Sequence, residues 1–163
     1  LHTEEIVGCK RRKAVYDDGY LRTGDIAYID ESGRAFIKGR LKDTIIGSNG
    51  ENIYPDEIEN YFSDVKHIER LSAFGIKQEK TERVVLVVEL ENPVTAEELS
   101  TIENELRNIN DSLPRFKRVT HFYVYKKSIP LSNSMKAKRF ALRDDLENNP
   151  SNFIEFVLQK KNR

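Results

Sequence analysis

Three charged side chains stand where their types could do chemistry. Asp25 follows Thr23-Gly24 and opens an apolar segment, so its carboxylate can accept two hydrogen bonds from a vicinal diol, or cap the local turn. Arg40 follows Gly39 and offers a planar fork of donors to phosphate or hydroxyl oxygens, or to a surface ion pair. Lys136 stands in a basic run with Lys138 and Arg139. A positioned ammonium there could stabilise negative charge developing on two reacting oxygens at once, or it could be one of several exposed lysines. Between these positions, Gly47-Ser48-Asn49-Gly50-Glu51-Asn52 forms a dense turn cluster, with Asn49-Gly50 a favoured hairpin signal.

The elements that must position these groups follow from periodicity. Ile26 and Tyr28 belong to a short strand, Asp30-Glu31-Ser32-Gly33 to a hairpin turn, and Ala35, Phe36 and Ile37 to the returning strand. Thr44, Ile45 and Ile46 are β-branched and suit a strand ahead of the turn cluster. Pro55 fits a helix start, with Asp56, Glu57 and Glu59 at its positive end. Ile58, Tyr61 and Phe62 then share a face. His67 opens a strand containing Leu71, Ala73, Phe74 and Ile76, and the His is read as structural. Val84 to Leu90 is a continuous apolar run, suited to a central strand. Thr95 and Glu98 make a capping box for a helix running to about Ile109, with Leu99, Ile102, Leu106 and Ile109 on one face. Val119 to Tyr125 alternates as a strand. Phe140 and Leu142 lie in a helix that Asn148-Asn149-Pro150 breaks, and Phe153, Ile154, Val157 and Leu158 have the spacing of a short amphipathic helix.

Composition sets the class. The chain has 163 residues, 38% hydrophobic and 33% charged, which suits a globular protein of one domain or one domain plus a fragment. No apolar run approaches a membrane span, and no signal-peptide pattern opens the chain. Cys9 is the only cysteine, which excludes an internal disulfide and a cysteine-based zinc cluster; the expected setting is reducing and cytoplasmic. The net charge of zero is unevenly spread. Residues 1–41 carry 8 basic and 7 acidic side chains, residues 42–110 carry 7 and 15, and residues 111–163 carry 12 and 5. The basic last third is a solvated surface or faces a polyanion such as a nucleotide. Lys10-Arg11-Arg12-Lys13 lacks interleaved aromatics, so no nucleic-acid partner is expected.

Three ordered stretches resemble one family. Leu21-Arg22-Thr23-Gly24-Asp25 resembles its upstream LRTGD motif, GRLKDTIIGSNGENIYPDEIE (residues 39–59) its C-terminal-domain signature loop, and residues 130–139 its final PxxxxGKxxR motif. The family is that of the adenylate-forming enzymes, which includes acyl-CoA synthetases, peptide-synthetase adenylation domains and firefly-type luciferases. The form SNGENIYP is most similar to the long-chain acyl-CoA synthetase branch.

The resemblance implies an α+β fold: a small three-stranded sheet flanked by helices, preceded by a β-hairpin belonging to the end of the large N-terminal domain. It implies a division into residues 1–41, the end of that domain and the approach to the hinge, and residues 42–163, the mobile C-terminal domain. As Leu1 stands in place of an initiator Met, the chain is read as an excised piece, inactive as a ligase alone. The implied activity of the whole enzyme is ATP-dependent activation of a carboxylic acid, most simply a fatty acid, as acyl-AMP, followed by transfer to coenzyme A. A carrier-protein-loading adenylation domain and a non-catalytic module with degenerate motifs are the alternatives. By resemblance Asp25 holds the ATP ribose, Arg40 contacts ATP or AMP, Lys42 is the hinge, Lys136 is the catalytic lysine, and Asn49, Gly50 and Glu51 form the coenzyme A loop. A side chain at position 50 would obstruct a narrow pantetheine channel. Magnesium, with ATP, is expected to be held mainly by the N-terminal domain, and no metal ligands are assigned in this chain. Two departures stand out. The LPRFKR segment at residues 113–118 lacks the family's second proline, and Met135 replaces the glycine before the lysine. Because Met resists a positive φ, a differently shaped loop, or one ordered only with substrate, is expected there.

Overall fold

A computed structural model describes residues 19, 22–78, 81–92 and 94–156. The cluster Lys10–Lys13, Cys9, Leu21, Val157 and Leu158 lie outside the described residues. The chain divides into two compact units, Leu1–Asp43 and Thr44–Arg163.

The described part of the first unit is a β-hairpin. Strand β1 (Asp25–Ile29) pairs antiparallel with β2 (Ala35–Arg40). Asp30 closes the turn by accepting from the backbone N–H of Ser32 and of Arg34, both at 2.9 Å. The register shifts between Ile26 and Ala27, passing over Lys38, and the ladder ends with Asp25 opposite Arg40. A 3-10 turn, Leu41–Asp43, follows directly.

In the second unit, β3 (Ile45–Ile46) and β4 (Asn52–Ile53) enclose the turn cluster, and helix α1 (Pro55–Phe62) follows. The main sheet has the order β5 (Ile68–Gln78), β6 (Thr81–Leu90), β7 (His121–Tyr125), β8 (Phe153–Phe156). Pair β5–β6 is an antiparallel hairpin and β6–β7 is parallel, with α2 (Ala96–Ser112) as the crossover. The capping box is present: Glu98 N–H donates to Thr95 Oγ1 at 3.2 Å, and Thr95 N–H to Glu98 Oε2 at 2.7 Å.

The α+β class stands, and the three strands read from the sequence gain a fourth. Periodicity puts Phe153 and Ile154 in a helix, but residues 153–156 pair antiparallel with β7. As a strand, residues 153–156 turn Phe153 into one core cluster and Phe156 into the other on the opposite face of the sheet, and pairing with β7 decides against a helix.

Strand β6 is buried on both faces. Val84, Leu86 and Val88 pack with α1, α2 and the β3–β4 hairpin, while Val85 and Val87 pack beneath α3 (Arg139–Asn148) with Phe74, Tyr125 and Leu142. In the first core Phe62 meets Phe122 edge to face at 5.7 Å. A side chain as fully buried as Phe62 stabilises the fold by roughly 1.5–3 kcal/mol. Tyr61, expected on the same face, is 41% exposed instead. Its hydroxyl lies 3.5 Å from Glu57, whose Oε1 also accepts from Lys117 Nζ at 2.5 Å.

Candidate active site

Lys136 stands at the end of a short hairpin. Ser132 N–H donates to Lys136 O at 2.8 Å, and Met135 N–H donates to Ser132 O at 2.9 Å. Leu131 and Ala137 form the bridge behind them. These bonds define a three-residue loop, Asn133-Ser134-Met135, whose last residue takes the left-handed conformation. Met135 does so, with φ +60°, and is 73% exposed. The expectation of a differently shaped loop is therefore corrected: the hairpin imposes the positive φ even though a Cβ disfavours it, and the exposed side chain has room there. The Lys136 side chain is exposed, and no carboxylate lies within ion-pair reach of it among the described residues.

Both roots of this hairpin are fastened by carboxylates. Ile129 N–H donates to Glu89 Oε2 at 2.8 Å, and Arg70 donates to Glu89 Oε1 at 3.1 Å. Burial pushes the Glu89 carboxyl up, but the hydrogen bonds of Ile129, Ser128 and Arg70 outweigh it and hold the group below its ordinary range. At the other root, Arg139 donates from Nε to Glu59 Oε1 at 3.1 Å and from a terminal nitrogen to Glu59 Oε2 at 2.8 Å, and it also pairs with Asp56. Glu59 accepts from Ala73 N–H at 2.8 Å as well. Burial raises the Glu59 carboxyl above its ordinary value, and the Arg139 charge opposes that rise without cancelling it.

The glycine cluster has the same build. Gly47 N–H donates to Glu51 O at 2.9 Å and Gly50 N–H to Gly47 O at 3.0 Å, so Ser48-Asn49-Gly50 is again a three-residue loop. Gly50 has φ +79°, and a Cβ built on it would meet nothing within 4 Å. The backbone, more than crowding within this chain, calls for glycine there. Asn49 is exposed, and Glu51 Oε2 is buried without a hydrogen bond. Ile46 N–H donates to Glu82 Oε2 at 3.0 Å, tying this hairpin to β6.

In the first unit, Asp25 and Arg40 are brought together. They are cross-strand partners, with Arg40 Nε 3.6 Å from Asp25 Oδ1. Asp25 N–H donates to Thr23 Oγ1 at 3.1 Å, and Leu41 N–H donates to Gly24 O at 2.8 Å. Lys42 is exposed within the 3-10 turn that ends where the two units divide. Among the described residues, no group of three or more His, Cys, Asp or Glu side chains could hold a metal ion.

Sequence pattern does not single out Glu89, Arg70 or Glu82, and it assigns Asp56 and Glu59 only to the positive end of a helix. Arg139 lies 80 residues from Glu59 and Glu89 lies 40 from Ile129, so no local spacing announces these contacts.

The model of the AMP-binding enzyme C-terminal domain matches residues 42–158. The chain belongs to this family. Among curated relatives of this C-terminal domain, the medium-chain acyl-CoA ligase ACSF2 of Bos taurus is 33% identical over 141 residues, covering 85% of this chain and 22% of the relative. The long-chain-fatty-acid–CoA ligase FadD13 of Mycobacterium tuberculosis is 33% identical over 131 residues, covering 79% and 24%. Among solved structures, the o-succinylbenzoate CoA synthetase MenE of Bacillus subtilis, with its acyl-adenylate intermediate OSB-AMP, superposes with a TM-score of 0.63. It is 29% identical and covers 81% of this chain and 26% of that one. The chain thus spans about a quarter of the length of the proteins it resembles. No helix among the described residues is long and apolar enough to cross a membrane.

Proposed function

We propose that this chain is the C-terminal part of an ATP-dependent acid–thiol ligase that makes an acyl-adenylate and passes the acyl group to coenzyme A. The observation that carries this reading is the presentation of Lys136. Its hairpin has both roots pinned by buried or half-buried carboxylates, while its own side chain is unencumbered and exposed. Such an ammonium is pre-organised without being neutralised, which is what stabilisation of a developing charge requires.

In the first step the substrate carboxylate attacks the α-phosphate of ATP and pyrophosphate leaves. Lys136 bridges the attacking carboxylate and the phosphate oxygens as their charge grows. The Asp25 carboxylate accepts from the ribose hydroxyls, and Arg40 donates to the nucleotide. The 3.6 Å pairing of these two places both groups together at the last pair of the hairpin ladder, close enough to serve one nucleotide. In the second step the coenzyme A thiolate attacks the acyl carbonyl and AMP departs. Asn49, Gly50 and Glu51 line the pantetheine path, and the open space beside Gly50 suits a narrow channel. Lys42 is the hinge between the steps, and the N-terminal domain of the same protein is the partner. Magnesium bound with ATP would neutralise phosphate charge, and no described residue of this chain is assigned to hold it.

The names of ACSF2 and FadD13 support a fatty acid as the acid, and that both are CoA ligases supports coenzyme A as the acceptor over an acyl carrier protein. The single cysteine suits a reducing, cytoplasmic setting. A non-catalytic reading leans on Met135, and the left-handed φ found there weakens it. The test is fatty-acid-dependent ATP–pyrophosphate exchange in the full-length protein. Lys136→Ala should lower exchange on the order of 10²-fold or more. An active parent whose exchange ignores the substitution would refute the assignment.

A further inference from the structure

The chain contains one methionine, and it occupies a position that local physics disfavours. Met135 has φ +60° and is 73% exposed. The conformation is disfavoured for a residue with a Cβ, and so exposed a side chain recovers little of that by packing. Glycine or asparagine would satisfy the same turn more cheaply. What methionine adds is a thioether, held in solvent directly between Ser134 and Lys136.

We propose that Met135 is a site of reversible oxidation by peroxides, and that its sulfoxide slows the step served by Lys136. The second half rests on the proposed role of Lys136; the first does not. A sulfur lone pair attacks one peroxide oxygen and the O–O bond breaks; the departing hydroxide takes the proton from the oxygen now on sulfur and becomes water, leaving the sulfoxide. Sulfur is oxidised by two electrons and the peroxide is reduced. The product carries a strong acceptor oxygen on a side chain that had none. Donors are close at hand in sequence: the Ser134 hydroxyl, already 3.0 Å from Ser132 Oγ, and the Lys136 ammonium. An internal acceptor competes with substrate oxygens for that ammonium. Enzymatic reduction restores the thioether.

The test has two arms. The 163-residue chain is treated with graded hydrogen peroxide, and peptide mass spectrometry reads the gain of one oxygen atom at residue 135. Conversion at a rate near that of free methionine is expected, and an unmodified residue 135 under conditions that fully oxidise free methionine overturns the site. The full-length enzyme and its Met135→Leu variant are then oxidised, and each is compared with its own untreated activity. Exchange in the parent should fall about fivefold or more, the scale of one misdirected hydrogen bond, and should recover with methionine sulfoxide reductase and a dithiol. A leucine side chain has no sulfur to oxidise, so equal fractional losses in the two proteins overturn the functional half. If exchange also ignores Lys136→Ala, the assignment of Lys136 fails and takes the functional half with it, while the mass at residue 135 still decides the first.

Discussion

Gly50 and Met135 occupy the same place in two hairpins of one design. Each is the third of three loop residues, each has positive φ (+79° and +60°), and each directly precedes the charged residue of its loop, Glu51 or Lys136. The backbone requirement is shared, but only one loop meets it with glycine.

That difference should be measurable. Met135→Val puts a β-branched residue at positive φ and should destabilise the second unit by about 1–2 kcal/mol. Met135→Gly relieves the backbone but adds freedom to the unfolded chain, so its net effect should stay within about 1 kcal/mol. Urea denaturation of the three proteins orders them, and a Val variant as stable as the parent would contradict the left-handed backbone at this position.

Arg139→Met should cost about 3–5 kcal/mol, because it strands the half-buried Glu59 carboxylate. The effect should depend on pH. Burial already raises the Glu59 carboxyl above 4.5 in the folded state, and losing Arg139 removes an opposing influence. A raised acid favours folding once it is protonated, so the cost should be greatest at neutral pH and shrink as pH falls through the raised value. Denaturant midpoints at about pH 7.5 and about pH 5 would show this; a pH-independent cost would contradict it.

Glu89 should behave in the opposite sense. Its carboxyl is held below the ordinary value of 4.5, so its contribution is present above that pH and is lost as pH falls through the depressed value. As pH falls through that depressed value, the Ile129 N–H should therefore lose protection against exchange, relative to the intrinsic rate at each pH. Glu89→Gln, which keeps an acceptor but no charge, should remove that acid sensitivity.

Gly75→Ala should loosen the glycine hairpin from a distance. A Cβ at Gly75 would lie 3.0 Å from Ile45 Cγ2 and 3.1 Å from Glu82 Oε2. Glu82 must then yield, and it is the acceptor for Ile46 N–H. A loss of about 1–3 kcal/mol is expected, with selectively faster exchange at Ile46.

Much of this architecture is legible in the sequence because local rules govern it. The apolar run of β6 needs no partner to be recognised, the Thr95–Glu98 box announces α2, and the turn clusters mark the β1–β2 and β3–β4 hairpins. Strand β8 is not legible, since Phe153 and Phe156 have helical spacing and are buried as a strand only because the sheet has a core on each face beside β7. Nor are the fastenings of the lysine hairpin, which join residues 40 and 80 positions apart. Met135 lies between these cases: the sequence shows the conflict, and the two closing hydrogen bonds show how the backbone settles it.

Helix α1 has only eight residues, yet the glycine hairpin runs into its first turn and Arg139 grips its flank at Asp56 and Glu59. It is thus a support common to both loops, and in a rigid turn of the second unit the two would move through the same angle. In a ligase of the kind proposed, no separate messenger would be needed to retire the first tool when the second is called up.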